Sequence, residues 1–357
     1  MPAISVILPT ARDDYPIIGL LTMHLFEPTF NSLMHQIFKD FELIIVDAYY
    51  PKRKKWESRY LELDLENLPF PVKYVPIHPN HRFWLDHKRW SVCAALNTGI
   101  IHAEGELIVR IDDCSEFEST FLQKFWDGYQ KGYFPLAMHI RYLKGRPARF
   151  NAEYMKDGYE AIHSVTFEKE SKKKILQRIY GDEGLIRDTR YPVVKRRGGS
   201  MIAPAEWYYG YSSMSLEAAL KVNGYNELFD SDKSQEDQEM GIRLDMAGYK
   251  HMFYLDVNHQ VIEHEHNPIP SSIIPLDQPN IKCNYAIFLL NKMKKRWRAN
   301  TEKLTQEELE FVRQESLKPP CSPRPNFYAD DCKGKLFRLW ANNQNIFDLR
   351  EERMTFE

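Results

Sequence analysis

Short apolar runs alternate with segments of helical periodicity through the first third of the chain. The predicted strands cover 4–8, 41–47, 71–76 and the run that ends at Asp112, and the predicted helices cover 30–39 and 91–102. Proline or aspartate stops each of these apolar runs, as at the end of a buried strand. Strands that alternate with helices in this way are typical of a mostly parallel sheet covered by helices. The pattern therefore predicts an α/β fold.

The rest of the chain is less regular. The segment 143–199 is rich in charge, and the later predicted elements are helices at 217–223, 235–247, 284–297 and 305–315 and a strand at 252–255. Gly224 and Gly248 are expected to end two of these helices. Several prolines interrupt the chain after residue 267. We therefore predict a main domain over 1–267, with halves at about 1–115 and 116–267, and a C-terminal extension over 268–357 that is helical with an irregular tail.

Composition and charge narrow the class of protein. The chain has 357 residues and a formal net charge of −2, which gives no reason to expect nucleic acid as a partner. Its five cysteines are widely spaced, so free thiols in a reducing compartment are expected rather than a zinc site. No apolar window approaches membrane length, so we expect a cytoplasmic protein. The basic run 294–298 leaves peripheral membrane contact open.

Acidic side chains stand where predicted strands end. Asp112 and Asp113 close one apolar run and Asp47 closes another. Ligands of open α/β sheets bind at the carboxyl ends of the strands, and paired carboxylates with little positive charge nearby suit Mg²⁺ or Mn²⁺. The alternative is that these aspartates only cap the helices that follow them.

Four segments occur in an order that resembles a known family. They are Ser5 to Thr10, Phe41 to Asp47, the block from Ala95 through Gly99 and Gly105 to Ile108, and the pair of blocks Asn223 to Glu227 and Glu236 to Tyr249. Over about residues 3–266 the chain resembles the inverting family-2 glycosyltransferases of the GT-A fold. The resemblance implies a Rossmann-like, mostly parallel central sheet flanked by helices. It also implies metal-dependent transfer of a sugar from a nucleoside-diphosphate sugar, with UDP favoured, to a hydroxyl acceptor.

The resemblance assigns the catalytic residues to the block at 236–239. Asp237 matches the general base, and Glu236 would orient that base or touch the acceptor. A position at a helix N-terminus favours the ionised form of an aspartate, which would keep this base ready near neutral pH. The alternative for Glu236, Asp237 and Glu239 is a solvated, acid-rich first helical turn.

The resemblance also assigns nucleotide and metal ligands. The implied nucleotide contacts are Pro9, Thr10, Arg12, Asp47, Lys88 and Asp112. The implied ligands of Mn²⁺ or Mg²⁺ are Asp113 and Asp112, with Asp113 binding directly and His264 preferred over His259 and His266 as a further ligand. Cys114 occupies the usual third acidic position, which is a departure from the family pattern.

Contacts to sugar are expected from the aromatic run that follows a basic loop. Trp207 and Tyr209 could stack on donor or acceptor sugar, and Arg197 could close over the diphosphate. The alternatives are core aromatics and a solvated charge run. The expected acceptor is a glycan, a lipid-linked precursor or a small molecule.

Two other functions remain open. A non-catalytic protein that binds nucleotide or glycan could share this fold, and the departure at Cys114 is compatible with it. A nucleotidyltransferase is disfavoured because the loop after the first strand contains no glycine.

Overall fold

The computed structural model describes residues 1–10, 26–48, 68–78, 91–113, 115–142, 185–187, 190–230, 235–254, 261–263, 281–301, 304–316, 318 and 350. The strands are β1 (Ile4–Thr10), β2 (Phe41–Asp47), β3 (Val72–Pro76), β4 (Leu107–Arg110), β5 (Ser115–Glu116), β6 (Phe134–Ala137), β7 (His139–Tyr142), β8 (Leu185–Arg187), β9 (Ser200–Ile202), β10 (Tyr211–Ser215), β11 (His251–Tyr254) and β12 (Val261–Glu263). The α-helices are α1 (Phe26–Met34), α2 (Val92–His102), α3 (Phe121–Gln130), α4 (Tyr191–Arg196), α5 (Leu216–Lys221), α6 (Glu236–Met246), α7 (Ile281–Lys294) and α8 (Gln306–Ser316).

The main sheet has the strand order β3-β2-β1-β4-β10-β6-β11-β9. The first four strands in this order are parallel, and β6 is parallel to β11. Strand β10 is antiparallel to both of its neighbours, β4 and β6, and β9 is antiparallel to β11. The predicted α/β fold with a mostly parallel sheet is confirmed. A second sheet has the order β5-β12-β7-β8.

The main sheet is buried on both faces, which is why strands β1, β2 and β4 are mostly apolar. Helix α2 packs on one face together with parts of α5, α6 and α7, and α1 and α3 pack on the other. Alternate residues of β1 serve the two cores, with Ile7 in the first and Val6 and Leu8 in the second. The sheet is therefore the rigid support from which the strand ends project.

Most predicted elements are present, with shifted ends. Strand β2 has the predicted bounds, and Gly224 and Gly248 follow their helices with φ of 65° and 95°. Helix α7 was expected to run to 297 but ends at Lys294, because Lys295 takes a left-handed conformation and Arg296 N–H bonds back to Asn291 O at 3.0 Å.

The helix expected at 30–39 lies earlier in the chain, at Phe26–Met34. Pro28 is tolerated there because the first helical turn contains amide groups that have no helical partner. Beyond the helix, Gln36 bonds to the carbonyls of Ser32 and Glu118, each at 2.9 Å, and accepts Leu122 N–H. These bonds tie the segment after α1 to the start of α3, which is why α1 does not continue for another turn.

Helix α7 belongs to the predicted C-terminal extension, yet it shares a core with the main sheet. Cys283, Ala286, Ile287 and Leu290 are buried in the same apolar cluster as α2. The boundary at residue 267 stays a prediction. No helix within the described ranges is long and apolar enough to cross a bilayer.

Candidate active site

The carboxyl ends of β1, β2 and β4 meet at one edge of the main sheet. Thr10 pairs with Asp47 across β1 and β2, and Ile7 pairs with Arg110 across β1 and β4. Thr10 Oγ1 donates a hydrogen bond to Asp113 Oδ2 at 2.9 Å. The structure therefore brings together three strand-end side chains whose proximity the sequence predicts.

Asp47 is fully buried at this edge. The Tyr74 hydroxyl donates a short hydrogen bond to Asp47 Oδ2, so the carboxylate already has a protein partner. Pro9, which pairs with Val46 on the adjacent strand, is half-buried. A contact of Asp47 with nucleotide stays a prediction.

Asp112 and Asp113 have different surroundings. Asp113 is 7% exposed and is held by Thr10, whereas the side chain of Asp112 is 35% exposed. Arg110 Nη2 lies 3.8 Å from Asp112 Oδ1, so the expectation of little positive charge near this pair is wrong. The reason is the two-residue period of an extended chain, which directs residues 110 and 112 to the same side.

Two strand-end carboxylates are hard oxygen ligands and fit an ion such as Mg²⁺, which keeps several water or phosphate oxygens of its own. Within the part of the chain that the structure describes, no group of three or more His, Cys, Asp or Glu residues could hold a metal. His264 and Cys114 lie outside the described residues, as do Arg12 and Lys88. The binding of Mn²⁺ or Mg²⁺ by Asp112, Asp113 and His264 stays a prediction.

The side chain of Asp237 reaches this edge from the first turn of α6. Arg110 Nη1 forms a short ion pair with Asp237 Oδ1, and both side chains are largely buried. The backbone N–H of Gly210 also donates to the Asp237 carboxylate. Asp237 is thus joined to β4 and to the loop before β10.

Burial raises the pKa of Asp237 to about 6, against the attraction of Arg110 and with added repulsion from Glu236. Desolvation of the carboxylate thus outweighs the favourable charges around it, the helix N-terminus included, but the pKa stays below 7. A carboxylate with a pKa near neutral is a stronger proton acceptor than an ordinary aspartate and is still ionised at pH 7.

The alternative of a solvated acidic first turn in α6 is also wrong. Glu239 is 2% exposed, and its Oε2 accepts a bond from Arg243 Nε at 2.7 Å. Arg243 Nη1 donates to Val222 O at 3.0 Å, which ties α6 to the end of α5. Glu236 Oε2 is buried and has no hydrogen-bond partner among the described residues.

The residue before this helix has an unusual backbone. Gln235 has φ of 75°, a left-handed conformation that non-glycine residues seldom adopt. Such conformations are found where the surrounding structure enforces them, commonly at functional sites. It lies two residues before Asp237.

Arg190 organises the aromatic run and was not anticipated from the sequence. It is 2% exposed, and its Nη1 donates to Trp207 O at 2.7 Å and Tyr209 O at 3.1 Å. Its guanidinium carbon lies 3.7 Å from the centre of the Tyr209 ring. The adjacent residue, Gly210, contacts Asp237, so Arg190 supports the loop on which that contact depends. Nothing in the sequence separates Arg190 from the exposed basic residues that follow it.

The aromatic run divides between core and surface. Tyr208 and Tyr211 are buried, whereas Trp207 and Tyr209 are half-buried. The Trp207 ring packs edge-on against Phe253, with ring centres 6.0 Å apart. The core alternative thus holds for the two buried tyrosines. Trp207 and Tyr209 keep partly accessible surface, and their contact with sugar stays a prediction.

Two buried tyrosines, Tyr208 and Tyr225, interact with both members of the ion pair. Burial raises the pKa of Tyr208 to about 12 and raises that of Tyr225 well above its usual value, so both phenols are neutral at pH 7. The hydroxyls of Tyr208, Tyr225 and Ser212 have no partner of ordinary hydrogen-bond geometry in the described ranges. Arg197, by contrast, is exposed beyond the end of α4.

Comparison with known proteins gives little further information. No protein-family model matches the chain, and no curated protein matches it. Among solved structures, it is similar to S. aureus TarS 1–349 in complex with UDP-GlcNAc, with 14% identity, a TM-score of 0.46, and 97% of this chain and 81% of that chain covered. For the complex of S. aureus TarS 1–349 with UDP, the identity is 12% and the TM-score is 0.44, with 99% of this chain and 93% of that chain covered. Likenesses this weak carry no argument.

Substituting Gly241 tests how closely α6 must approach the aromatic loop. A Cβ at this position would lie 2.2 Å from Ala205 O and 2.4 Å from Tyr208 Cβ, so Gly241→Ala must displace the helix or the loop. We expect a loss of about 1–3 kcal/mol in the free energy of unfolding, measured by denaturant titration.

Gly248→Ala provides the control for this measurement. Its Cβ would meet nothing within 4 Å, and only its φ of 95° is unfavourable. A loss in Gly241→Ala no larger than in Gly248→Ala would contradict close packing of α6 on the loop.

Proposed function

We propose that this protein is a metal-dependent, inverting glycosyltransferase that moves a sugar from a nucleoside-diphosphate sugar to a hydroxyl acceptor. The observation that carries the proposal is the position of Asp237. This aspartate is largely buried, has a pKa raised to about 6 and is held next to the strand ends that contain Asp112 and Asp113. A tuned carboxylate beside a pair of potential metal ligands is the arrangement that this reaction requires.

Asp237 is the general base in this proposal. It takes the proton of the acceptor hydroxyl while that oxygen attacks C1 of the sugar, and the bond from C1 to the diphosphate breaks on the opposite face. An ionised carboxylate has about four lone-pair sites, so the bonds from Arg110 and Gly210 leave room for an acceptor hydroxyl. Glu236, which precedes the base, orients it or contacts the acceptor.

The donor binds at the strand ends. Thr10 fixes Asp113, and the more exposed Asp112 faces the diphosphate. Asp113 and Asp112 would hold Mn²⁺ or Mg²⁺, which would supply positive charge to stabilise the departing diphosphate. UDP is the favoured nucleotide on the family resemblance alone.

The connection between two family-like blocks supports the GT-A assignment. Asn97 Nδ2 donates to Tyr225 O at 2.9 Å, and Tyr225 N–H donates to Asn97 Oδ1 at 2.7 Å. Asn97 belongs to the block before β4, and Tyr225 belongs to the block before α6. Residues 128 positions apart thus form one paired contact, which supports the idea that the motifs build one site.

The binding of nucleotide to the strand ends can be tested by thermal shift with UDP, GDP and CMP, each with Mn²⁺, Mg²⁺ or EDTA. We expect one nucleoside diphosphate to raise Tm in the presence of metal. At a ligand concentration 100 times its Kd, binding adds about 2.7 kcal/mol to stability. Asp113→Ala should remove the metal dependence, and an unchanged response in that variant would place the metal elsewhere.

The role of the base is tested by Asp237→Asn. The amide keeps the shape of the side chain but cannot accept a proton, so we expect transfer to fall by about 10²–10⁴-fold, measured with the donor identified above. The metal-dependent thermal shift with nucleotide should persist. Full activity in Asp237→Asn would exclude it as the base, and nucleotide binding without transfer in the wild type would favour the alternative of a binding protein.

The pH dependence of kcat/KM provides a further test. Because the active form of Asp237 is deprotonated, activity should rise with pH through about 6 and level off above it. Below that value it should fall by about tenfold per pH unit. A rising limb near pH 4 would show that burial does not raise the pKa of this carboxylate in solution.

A further inference from the structure

Arg110 is a charged residue in a strand that is otherwise apolar. It is 8% exposed and follows Ile108 and Val109, both of which are buried in the sheet. Burying an unpaired charge is costly, so a guanidinium in this position requires partners of opposite charge. The other residues of β4, Leu107, Ile108 and Val109, are apolar and supply none.

The partners of Arg110 lie on both sides of the site. Its Nη1 pairs with Asp237 on α6, and its Nη2 lies 3.8 Å from Asp112 Oδ1 at the end of β4. The planar guanidinium has two arms in a fixed fork, which suits contact with two carboxylates at once. A lysine ammonium, which is a single point of charge, cannot reproduce this geometry.

We propose that Arg110 is the positioning residue of the general base: one arm of its guanidinium holds and orients the Asp237 carboxylate, and the other ties that carboxylate to Asp112 on the donor side. This inference rests on the proposed function, because it assigns Arg110 a role through Asp237. Arg110 itself does not touch the reacting atoms.

The charges around Asp237 explain why the base needs this partner. Burial disfavours the ionised carboxylate, and repulsion from Glu236 disfavours it further. Among the described residues, Cys93, Tyr208 and Tyr225 also interact with Asp237, and burial raises the pKa of each of them. These groups are neutral at pH 7, so the positive charge of Arg110 offsets the repulsion and the desolvation of the base.

A second buried arginine on α6 shows what a structural ion pair looks like. Arg243 pairs with Glu239 four residues earlier, and both side chains are at most 3% exposed. Glu239 also accepts bonds from Asn226 and Asn291, and Arg243 donates to Val222 O, so this pair fixes the packing of α6 against its neighbours. Arg110 instead joins two elements that carry different parts of the site, and one of its carboxylates, Asp112, is partly accessible. Arg243 therefore offers a matched control.

The direct test measures the titration of Asp237 without reference to activity. Carboxyl-¹³C aspartate is incorporated into the whole protein, and Asp237→Asn identifies the resonance. We expect Arg110→Met to raise the titration midpoint of Asp237 by about one pH unit or more, because an adjacent opposite charge lowers a carboxyl pKa by about 1–3 units. Arg110→Lys keeps a positive charge next to Asp237, and Arg243→Lys does not change the charge at position 110. The titration midpoint of Asp237 should therefore stay near the wild-type value in both variants.

Kinetics then test the orientation of the base. In Arg110→Met, the pH at which kcat/KM rises should move upward, and the variant should recover activity at that higher pH. In Arg110→Lys, kcat/KM should rise over the same pH range as in the wild type. Its kcat should be lower by about tenfold with little change in KM, because the guanidinium fork that orients Asp237 is lost. Arg243→Lys should lower Tm without moving the pH at which kcat/KM rises.

An unmoved Asp237 midpoint in Arg110→Met, or a higher kcat in that variant, overturns the inference. If Arg110→Met does not fold, Arg110→Lys decides the matter, and a wild-type kcat in that variant contradicts a positioning role. The two proposals can fail independently. If the Asp237 midpoint shifts in Arg110→Met but the wild-type protein transfers no sugar, the ion pair is supported and the proposed function is contradicted. If the wild type transfers sugar but the midpoint does not shift in Arg110→Met, the function is supported and the role of Arg110 is contradicted.

Discussion

The ion pair between Arg110 and Asp237 is the contact that makes one site out of two distant parts of the chain. Its members are 127 residues apart and belong to the central sheet and to helix α6. Both are largely buried, and removing one partner of a buried pair typically costs about 3–5 kcal/mol because the other charge is left uncompensated. Such a contact specifies where the helix must lie relative to the strand ends.

The other contacts of α6 serve the same placement. Gly241 allows the helix to lie against Ala205 and Tyr208, where any larger residue would collide with them. Arg243 attaches it to the end of α5, and Asn291 of α7 bonds to Glu239 at 3.1 Å. The first turn of the helix is therefore held from several directions, which explains how Gln235 can be kept in a left-handed conformation directly before it.

The sequence predicts the sheet and its strand ends well because both follow from local patterns. An apolar run such as 41–47 can only be buried, and the ends of parallel strands meet at one edge, so Thr10, Asp47 and Asp113 are found together. Helix ends are less predictable, because bonds such as those of Gln36 to distant carbonyls decide them. The raised pKa of Asp237 also depends on burial, which the acidic run at 236–239 does not reveal.

The two arginines that support the site could not be found in this way. An isolated arginine in a strand and one in a basic segment both look like surface residues, and their burial depends on partners elsewhere in the chain. Arg110 depends on Asp237, and Arg190 depends on the carbonyls of Trp207 and Tyr209. Neither partner can be identified until the fold places it.

The shared guanidinium links the strand-end carboxylates to helix α6. Arg110 pairs with Asp237 and lies 3.8 Å from Asp112, so the two carboxylates compete for one positive charge. A change in the charge at Asp112 therefore alters how strongly Arg110 attracts Asp237, because charges this close interact strongly where they are largely buried. The environment of the Asp237 carboxylate is thus set by strand β4 as much as by the helix that carries it.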